Sequence, residues 1–220
     1  MRPGRLEIPE DLDPARAQEW ACGEFGVVVG ADEAGRGPLF GPVAAATVVL
    51  DPGTALPGLD DSKKLTEAKR EALFPLIQER ARAWGIGTAS AAEIDQMNIL
   101  NATFLAVRRA LEQISVPWDR LLMDGSVLVR GIDPSRQFCV VKGDARVQAI
   151  AAASVLAKVH RDRLIVELAR KYPGYALERN KGYPSREHLD GIRKLGYTPE
   201  HRRSFHVKEL EPDLFGGEGA

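Results

Sequence analysis

The sequence predicts an α/β fold: a mixed β-sheet with flanking helices and a helical appendage at its C-terminal end, all in one domain. Three observations carry this. Short apolar runs bounded by turn residues cluster in the first two-thirds of the chain, and helical patterns fill the last third. The first two runs, Val27-Val28-Val29 and Val43 to Leu50, are joined by a short crossing that suits an antiparallel hairpin. A long helical stretch from about Arg146 to Lys171 opens rich in alanine, and small side chains let a helix lie close on a sheet. The 220 residues, 44% hydrophobic and 28% charged, suffice for one sizeable core.

Residues 1–24 read as a Pro-containing extension with a short helix ending at Trp20. The first strand ends in Asp32 and Glu33, and the chain then turns through Gly35-Arg36-Gly37-Pro38. After the second strand, Asp51 to Leu65 is a loop with Pro52, Gly53, Pro57 and Gly58. Thr66 is placed to cap a helix to about Arg82, with Pro75 as a kink. Trp84 to Ala89 is a third strand. Asn98 to Ile114 is an amphipathic helix, with Ile99, Leu100, Phe104, Val107 and Leu111 at helical spacing. Arg120 to Met123 is a buried strand ending in Asp124-Gly125, and Gln137 to Val141 is another, followed by Lys142-Gly143-Asp144. Beyond the long helix, Ser185 caps a helix closed by Gly196, and Thr198-Pro199 reads as the start of a last short helix.

Neither a long apolar run nor a basic-then-apolar leader is present, so no membrane span and no secretion are expected. Cys22 and Cys139 show no metal-ligand spacing, which suits reduced thiols in a cytoplasm. No heptad or apolar edge stands out, so a monomer is expected. The net charge of −1 hides an asymmetry: Lys142 to Lys208 holds 15 Lys+Arg against 7 Asp+Glu, a local excess of +8. That segment also holds all four histidines, none paired at metal-ligand spacing, so surface or capping roles are expected for them. A basic segment fits either a polyanion partner or simply solvated helix faces.

The acids decide between these. Asp32-Glu33, Asp124 and Asp144 lie at three strand ends, and neighbouring strands of shared direction would bring them to one edge of the sheet. Clustered carboxylates repel, and their pKa values rise unless a cation neutralises them. Mg²⁺ and Mn²⁺ prefer such oxygen ligands. Two of these ions, about 3.5–4 Å apart, can clamp the attacking water and the leaving oxygen of a phosphoryl displacement. The basic segment would grip a phosphate backbone. Acid site and basic flank together point to a metal-dependent nuclease. A dinucleotide-binding turn fails on spacing, because Pro38 and Pro42 sit where its helix would start. A non-catalytic nucleic-acid binder has no use for four acids that repel phosphate.

The residues also resemble a known family, the bacterial ribonucleases HII, or type 2 ribonucleases H. The resemblance runs through Asp32-Glu33-Ala34-Gly35-Arg36-Gly37-Pro38, Asp60-Asp61-Ser62-Lys63-Lys64-Leu65 and Glu93 to Leu100. It continues in Met123-Asp124-Gly125, Val141-Lys142-Gly143-Asp144, Ala152 to Val159, Asn180-Lys181-Gly182-Tyr183-Pro184 and His201-Arg202-Arg203-Ser204-Phe205. It spans roughly Gly26 to Val207 and so implies a ribonuclease H-like catalytic domain over residues 25–208, between the extension and a flexible acidic tail at 209–220.

The resemblance implies an endonuclease that cuts the RNA strand of RNA–DNA hybrids and incises 5′ of ribonucleotides embedded in duplex DNA. It implies Mg²⁺ or Mn²⁺ as cofactor, with Asp32, Glu33, Asp124 and Asp144 both catalytic and metal-binding. Gly35, Arg36 and Gly37 match the element that reads the 2′-hydroxyl through backbone groups, Tyr183 the tyrosine on the adjoining sugar, and Lys63 a phosphate contact. Ser154 and Lys158, one helical turn apart, are further candidate substrate contacts, although packing suits the Ser154 hydroxyl equally. Ala151 and Phe40 depart from the family pattern, where serine and a small residue are common. With 24 residues ahead of the first strand, the large N-terminal domain of another ribonuclease H branch is not expected. In the tail, Asp213-Leu214-Phe215 is similar to the end of peptides that bind bacterial sliding clamps, which implies a clamp contact through Leu214 and Phe215; a plain polar tail is the alternative.

Overall fold

A computed structural model describes residues 4–210, so the expectations for Leu214 and Phe215 lie outside the described residues. Five strands form one sheet in the order β3-β2-β1-β4-β5. They are β1 (Val28–Ala34), β2 (Val43–Val49), β3 (Ala83–Ala89), β4 (Arg120–Asp124) and β5 (Gln137–Val140). The expected hairpin is present: β1 pairs antiparallel with β2, and β2 with β3. β1 pairs parallel with β4, and β4 with β5. The parallel half positions the site, because parallel strands end at the same edge.

Helices cover both faces. On one, Ala102, Phe104 and Val107 of α4 (Ile99–Leu111) pack on Val29, Ala31 and Ala45. On the other, the Ala-rich start of α5 (Gln148–Lys171) and the apolar face of α2 (Glu67–Arg80) meet Ala46 and Val48. The contact with α5 is close because Gly30 has no side chain: a Cβ there would come within 2.5 Å of the Ile150 amide nitrogen. Each large side chain sealed in these layers, such as Ile77 or Leu156, contributes about 2 kcal/mol through burial. Thr66 caps α2 as expected, accepting from the Lys69 N–H at 3.3 Å.

Beyond the sheet, α6 (Leu177–Asn180) and α7 (Arg186–Leu195) pack on the far half of α5 through Ile165, Ala169, Leu177, Leu189 and Ile192. This is the expected appendage, but it does not end in the helix expected at Thr198-Pro199. The chain makes a turn there, because the Thr198 N–H is bonded to the His201 ring at 2.9 Å and His201 bridges back to Phe40. At the other end, α1 runs from Pro14 to Phe25, past Trp20, and Leu6 donates to the Cys139 carbonyl at 3.0 Å along the free edge of β5. The sequence reading missed α3 (Ala91–Met97), a short helix opened by a capping box between Ser90 and Glu93. Both cysteines are free, and among the described residues no helix is long and apolar enough to cross a membrane.

Candidate active site

The parallel register places Ala31 beside Met123, so Asp32 and Asp124 follow side by side; Asp124 ends β4, whereas β1 runs past Asp32 and Glu33 to Ala34 because β2 still pairs with it there. Asp124 pairs with Val140, and the chain then passes through Lys142 in a left-handed conformation into the turn Gly143–Ala145, which carries Asp144. Asp124 fixes that turn by accepting the Gly143 N–H at 2.7 Å. Carboxylate oxygens of Asp32, Asp124 and Asp144 thus come within 4.8 Å of one another. Glu33 stands apart from this group, with Oε1 3.4 Å from Nη1 of Arg36.

The electrostatics of the cluster follow from that crowding. Burial, then the charges of Glu33 and Asp124, push Asp32 well above the usual carboxylate range. Burial and Asp144 push Asp124 up. Burial raises Glu33 against the opposing pull of Arg36. Among the described residues one cation answers the cluster: Lys63 Nζ lies 2.8 Å from Asp144 Oδ2, and although burial opposes it, that carboxylate holds the ammonium above its ordinary value. A single lysine leaves the three carboxylates under-neutralised, and an all-oxygen donor set suits a hard divalent cation.

A cleft of about 240 Å³ joins Asp32, Glu33 and Asp124 to Gly35, Arg36, Gly37, Lys63, Lys158 and Tyr183. Ser154, one turn from Lys158, is 2% exposed, and its hydroxyl is engaged inward. It donates to the Ala151 carbonyl at 2.8 Å and accepts the Ser62 N–H at 3.3 Å, which anchors the turn that carries Lys63. Lys158 pairs with Asp162 at 2.8 Å.

Two buried arginines shape the glycine loop: Arg202, which the family motif contains without a role, and Arg161, which no motif named. Arg202 donates to the carbonyls of Gly35, Arg36, Pro38 and Gly41 at 2.7–3.1 Å. Arg161 donates to those of Phe40, Pro42 and Lys181 at 3.0–3.1 Å. Among the described residues neither has a carboxylate partner, and burial, with Arg161 nearby, pulls Arg202 down to about 9. The loop's carbonyls are thereby turned inward. Among the described residues no hydrogen bond starts from the backbone N–H of Arg36 or Gly37, and both residues line the cleft. One signal of Arg161 was legible: it lies on the stripe Ala157, Arg161, Ile165, a charge at four-residue spacing inside a buried face.

Asp95, inside the matched stretch Glu93 to Leu100, braces the same region. Its carboxylate accepts from the N–H of Arg203 at 3.0 Å and from the N–H and hydroxyl of Ser204 at 2.9 and 2.6 Å. Asp95→Ala is expected to lower stability by about 1–3 kcal/mol, measured by denaturant unfolding, through loss of bonds to a charged acceptor. The histidines correct an expectation. His188 and His201 are neither surface nor simple capping residues; both are buried, with Nε2 atoms 3.2 Å apart. Thirteen residues and a turn separate them, so no local spacing announces the pair.

Fold and site together define a ribonuclease H-like hydrolase of nucleic-acid phosphodiester bonds. The chain belongs to the ribonuclease HII family, whose model, described as Ribonuclease HII, matches residues 29–208. It is 54% identical over 179 residues to a Ribonuclease HII of Marinomonas sp. (strain MWYL1), covering 81% of this chain and 89% of that one. The crystal structure of the ribonuclease H2 from Pyrococcus horikoshii OT3 superposes with a TM-score of 0.67 at 27% identity, over 81% of this chain and 93% of that chain. The ribonuclease HII in a PCNA:RNase HII complex from Archaeoglobus fulgidus shares the fold, with a TM-score of 0.67 at 22% identity over 86% and 98%. The chain is accordingly an endonuclease of the ribonuclease H type, from a family that acts on nucleic-acid hybrids with divalent metal ions.

Proposed function

We propose that this enzyme incises 5′ of a ribonucleotide embedded in duplex DNA as well as cutting the RNA strand of RNA–DNA hybrids. The observation that carries this reading is the shared cleft, in which Asp32, Glu33 and Asp124 meet the loop at Gly35–Gly37 and Tyr183, with Asp144 converging on Asp32 and Asp124 beside it. Asp32, Glu33, Asp124 and Asp144 would hold the divalent cations, Mg²⁺ or Mn²⁺. Two such cations, when bound, supply an activated water and charge for the leaving oxygen. The protein's own part is selection and alignment. The N–H groups of the glycine loop meet the 2′-hydroxyl, the one group that tells ribose from deoxyribose. Tyr183, 46% exposed, packs on the adjoining sugar. Lys63 and Lys158 hold phosphate, and Ser154 acts at one remove by holding the turn of Lys63.

The test is cleavage of three labelled duplexes, a hybrid, a DNA with one ribonucleotide and an all-DNA control, with and without divalent cation. Metal-dependent cutting of the first two and none of the third is expected. Cutting of the hybrid alone would remove the single-ribonucleotide reading. For the tail, we propose that Leu214 and Phe215 dock on a sliding clamp. The reading rests on Asp213-Leu214-Phe215 and on the complex formed by the Archaeoglobus relative. Clamp pull-down should weaken in the Leu214→Ala/Phe215→Ala double variant, and equal capture would end that proposal.

A further inference from the structure

The buried imidazoles form a directed line. The Thr198 N–H donates to His201 Nδ1 at 2.9 Å, so that nitrogen carries no proton. The proton of His201 then sits on Nε2 and points to His188 Nε2 at 3.2 Å. His188 in turn carries its proton on Nδ1, which donates to the Tyr183 carbonyl at 2.9 Å. Each bond fixes the tautomer of the next ring, and the line runs one way, from the backbone of Thr198 to that of Tyr183. The same carbonyl accepts the Ser185 N–H at 2.8 Å, so His188 fills its second lone pair.

The surroundings keep the line intact. Phe40 and Tyr175 pack on the His201 ring with centroids 4.9 and 5.1 Å away. Burial, with His188 and Arg203 adding, draws His201 down to about 4, and burial lowers His188 too, so both rings stay neutral near pH 7. An apolar pair of similar volume would fill this space without the desolvation of two imidazoles. What it would lack is the bond to Tyr183. The ring of Tyr183 reaches into the cleft with half its surface open, and its aim is set by the backbone beneath it.

We infer that His188 and His201 are positioning residues for Tyr183: their hydrogen-bonded line holds the tyrosine loop at the angle from which its ring meets the sugar beside the ribonucleotide. The inference rests on the proposed role of Tyr183 as reader of that sugar. Loss of the line leaves the carboxylates and Lys63 untouched. It should therefore weaken selection of a single ribonucleotide while sparing a long hybrid.

The experiment measures kcat/KM on a duplex with one ribonucleotide and on a uniform hybrid, together with the melting temperature. The variants are Tyr183→Ala, His188→Ala, His188→Asn, His188→Gln and His201→Ala. His188→Ala should lose about tenfold more on the single ribonucleotide than on the hybrid, the worth of one directed hydrogen bond. The Asn side chain sets its amide nitrogen near the place of Nδ1 and should restore the ratio. Gln sets its amide toward His201 and should not. If Tyr183→Ala is selective while folded His188→Ala loses equally on both substrates, the inference fails alone. If Tyr183→Ala is itself unselective, the role of Tyr183 fails and the inference with it. If His188→Ala does not fold, Asn and Gln variants with equal ratios overturn the inference.

Discussion

Asp124→Asn and Asp144→Asn should each lose activity by about 10²–10³-fold or more while the protein stays folded. The substitutions are isosteric, so the loss isolates charge. Asp124 keeps its structural bond in the amide, because Asn Oδ1 can still accept the Gly143 N–H. Its carboxylate is held above the usual range by burial and by Asp144, which means that the metal-free fold bears a cost for ionising it. That cost is present above the folded pKa and is relieved as pH falls through it. Asp124→Asn removes it at every pH, so the metal-free variant should melt at or above the wild-type temperature near pH 7. Asp144→Asn gives up the ion pair with Lys63 and should gain less. Added Mn²⁺ should raise the melting temperature of the wild type by mass action and raise that of either variant much less. Near-normal cleavage by either variant in Mg²⁺ would mean that the carboxylate cluster is not the active site.

Tyr183→Ala should lose far more activity on a single embedded ribonucleotide than on a long hybrid. A site that bonds a hydroxyl can discriminate against its absence by up to about 10⁴-fold, and in the proposed reading Tyr183 would extend the discrimination to the next sugar. The two glycines of the loop separate packing from reading. Gly35 has φ of +93°, and a Cβ there would collide with the Arg161 side chain that holds Phe40, Pro42 and Lys181. Gly35→Ala should therefore lower both the melting temperature and activity on every substrate. Gly37 has open space, with only the Tyr183 ring 3.6 Å from an added Cβ. Gly37→Ala should fold normally and lose activity by holding substrate away from the loop. Equal kcat/KM losses for Tyr183→Ala on the two substrates would reduce Tyr183 to a packing residue.

Much of this architecture was legible because it is local. The apolar runs that lead into Asp32 and Asp124, the cap at Thr66 and the alanine face of α5 are written in runs and spacings of a few residues. The convergence of the acids followed once β1 and β4 were taken to share a direction. The braces were not legible, because each joins distant segments: Arg202 serves carbonyls at Gly35 to Gly41, and Asp95 holds Arg203 and Ser204. Composition reads a buried arginine as a surface charge until the fold shows what it donates to. The turn at Thr198 misled for the opposite reason. Thr-Pro is a sound local start for a helix, and a tertiary bond to His201 outweighs it. Ser154 shows the same limit on a smaller scale, since only the fold reveals that its hydroxyl faces Ser62.

In the proposed reaction Asp32, Glu33, Asp124 and Asp144 would hold divalent cations that supply an activated water at the phosphate 5′ of a ribonucleotide selected by the glycine loop. End mapping of a nicked duplex containing one ribonucleotide tests it most directly. Water attack at that phosphate predicts a 3′-hydroxyl on the upstream deoxynucleotide and a 5′-phosphate on the ribonucleotide, only when Mg²⁺ or Mn²⁺ is present. A cut 3′ of the ribonucleotide ending in a 2′,3′-cyclic phosphate would mean that the 2′-hydroxyl is the nucleophile and would contradict the account.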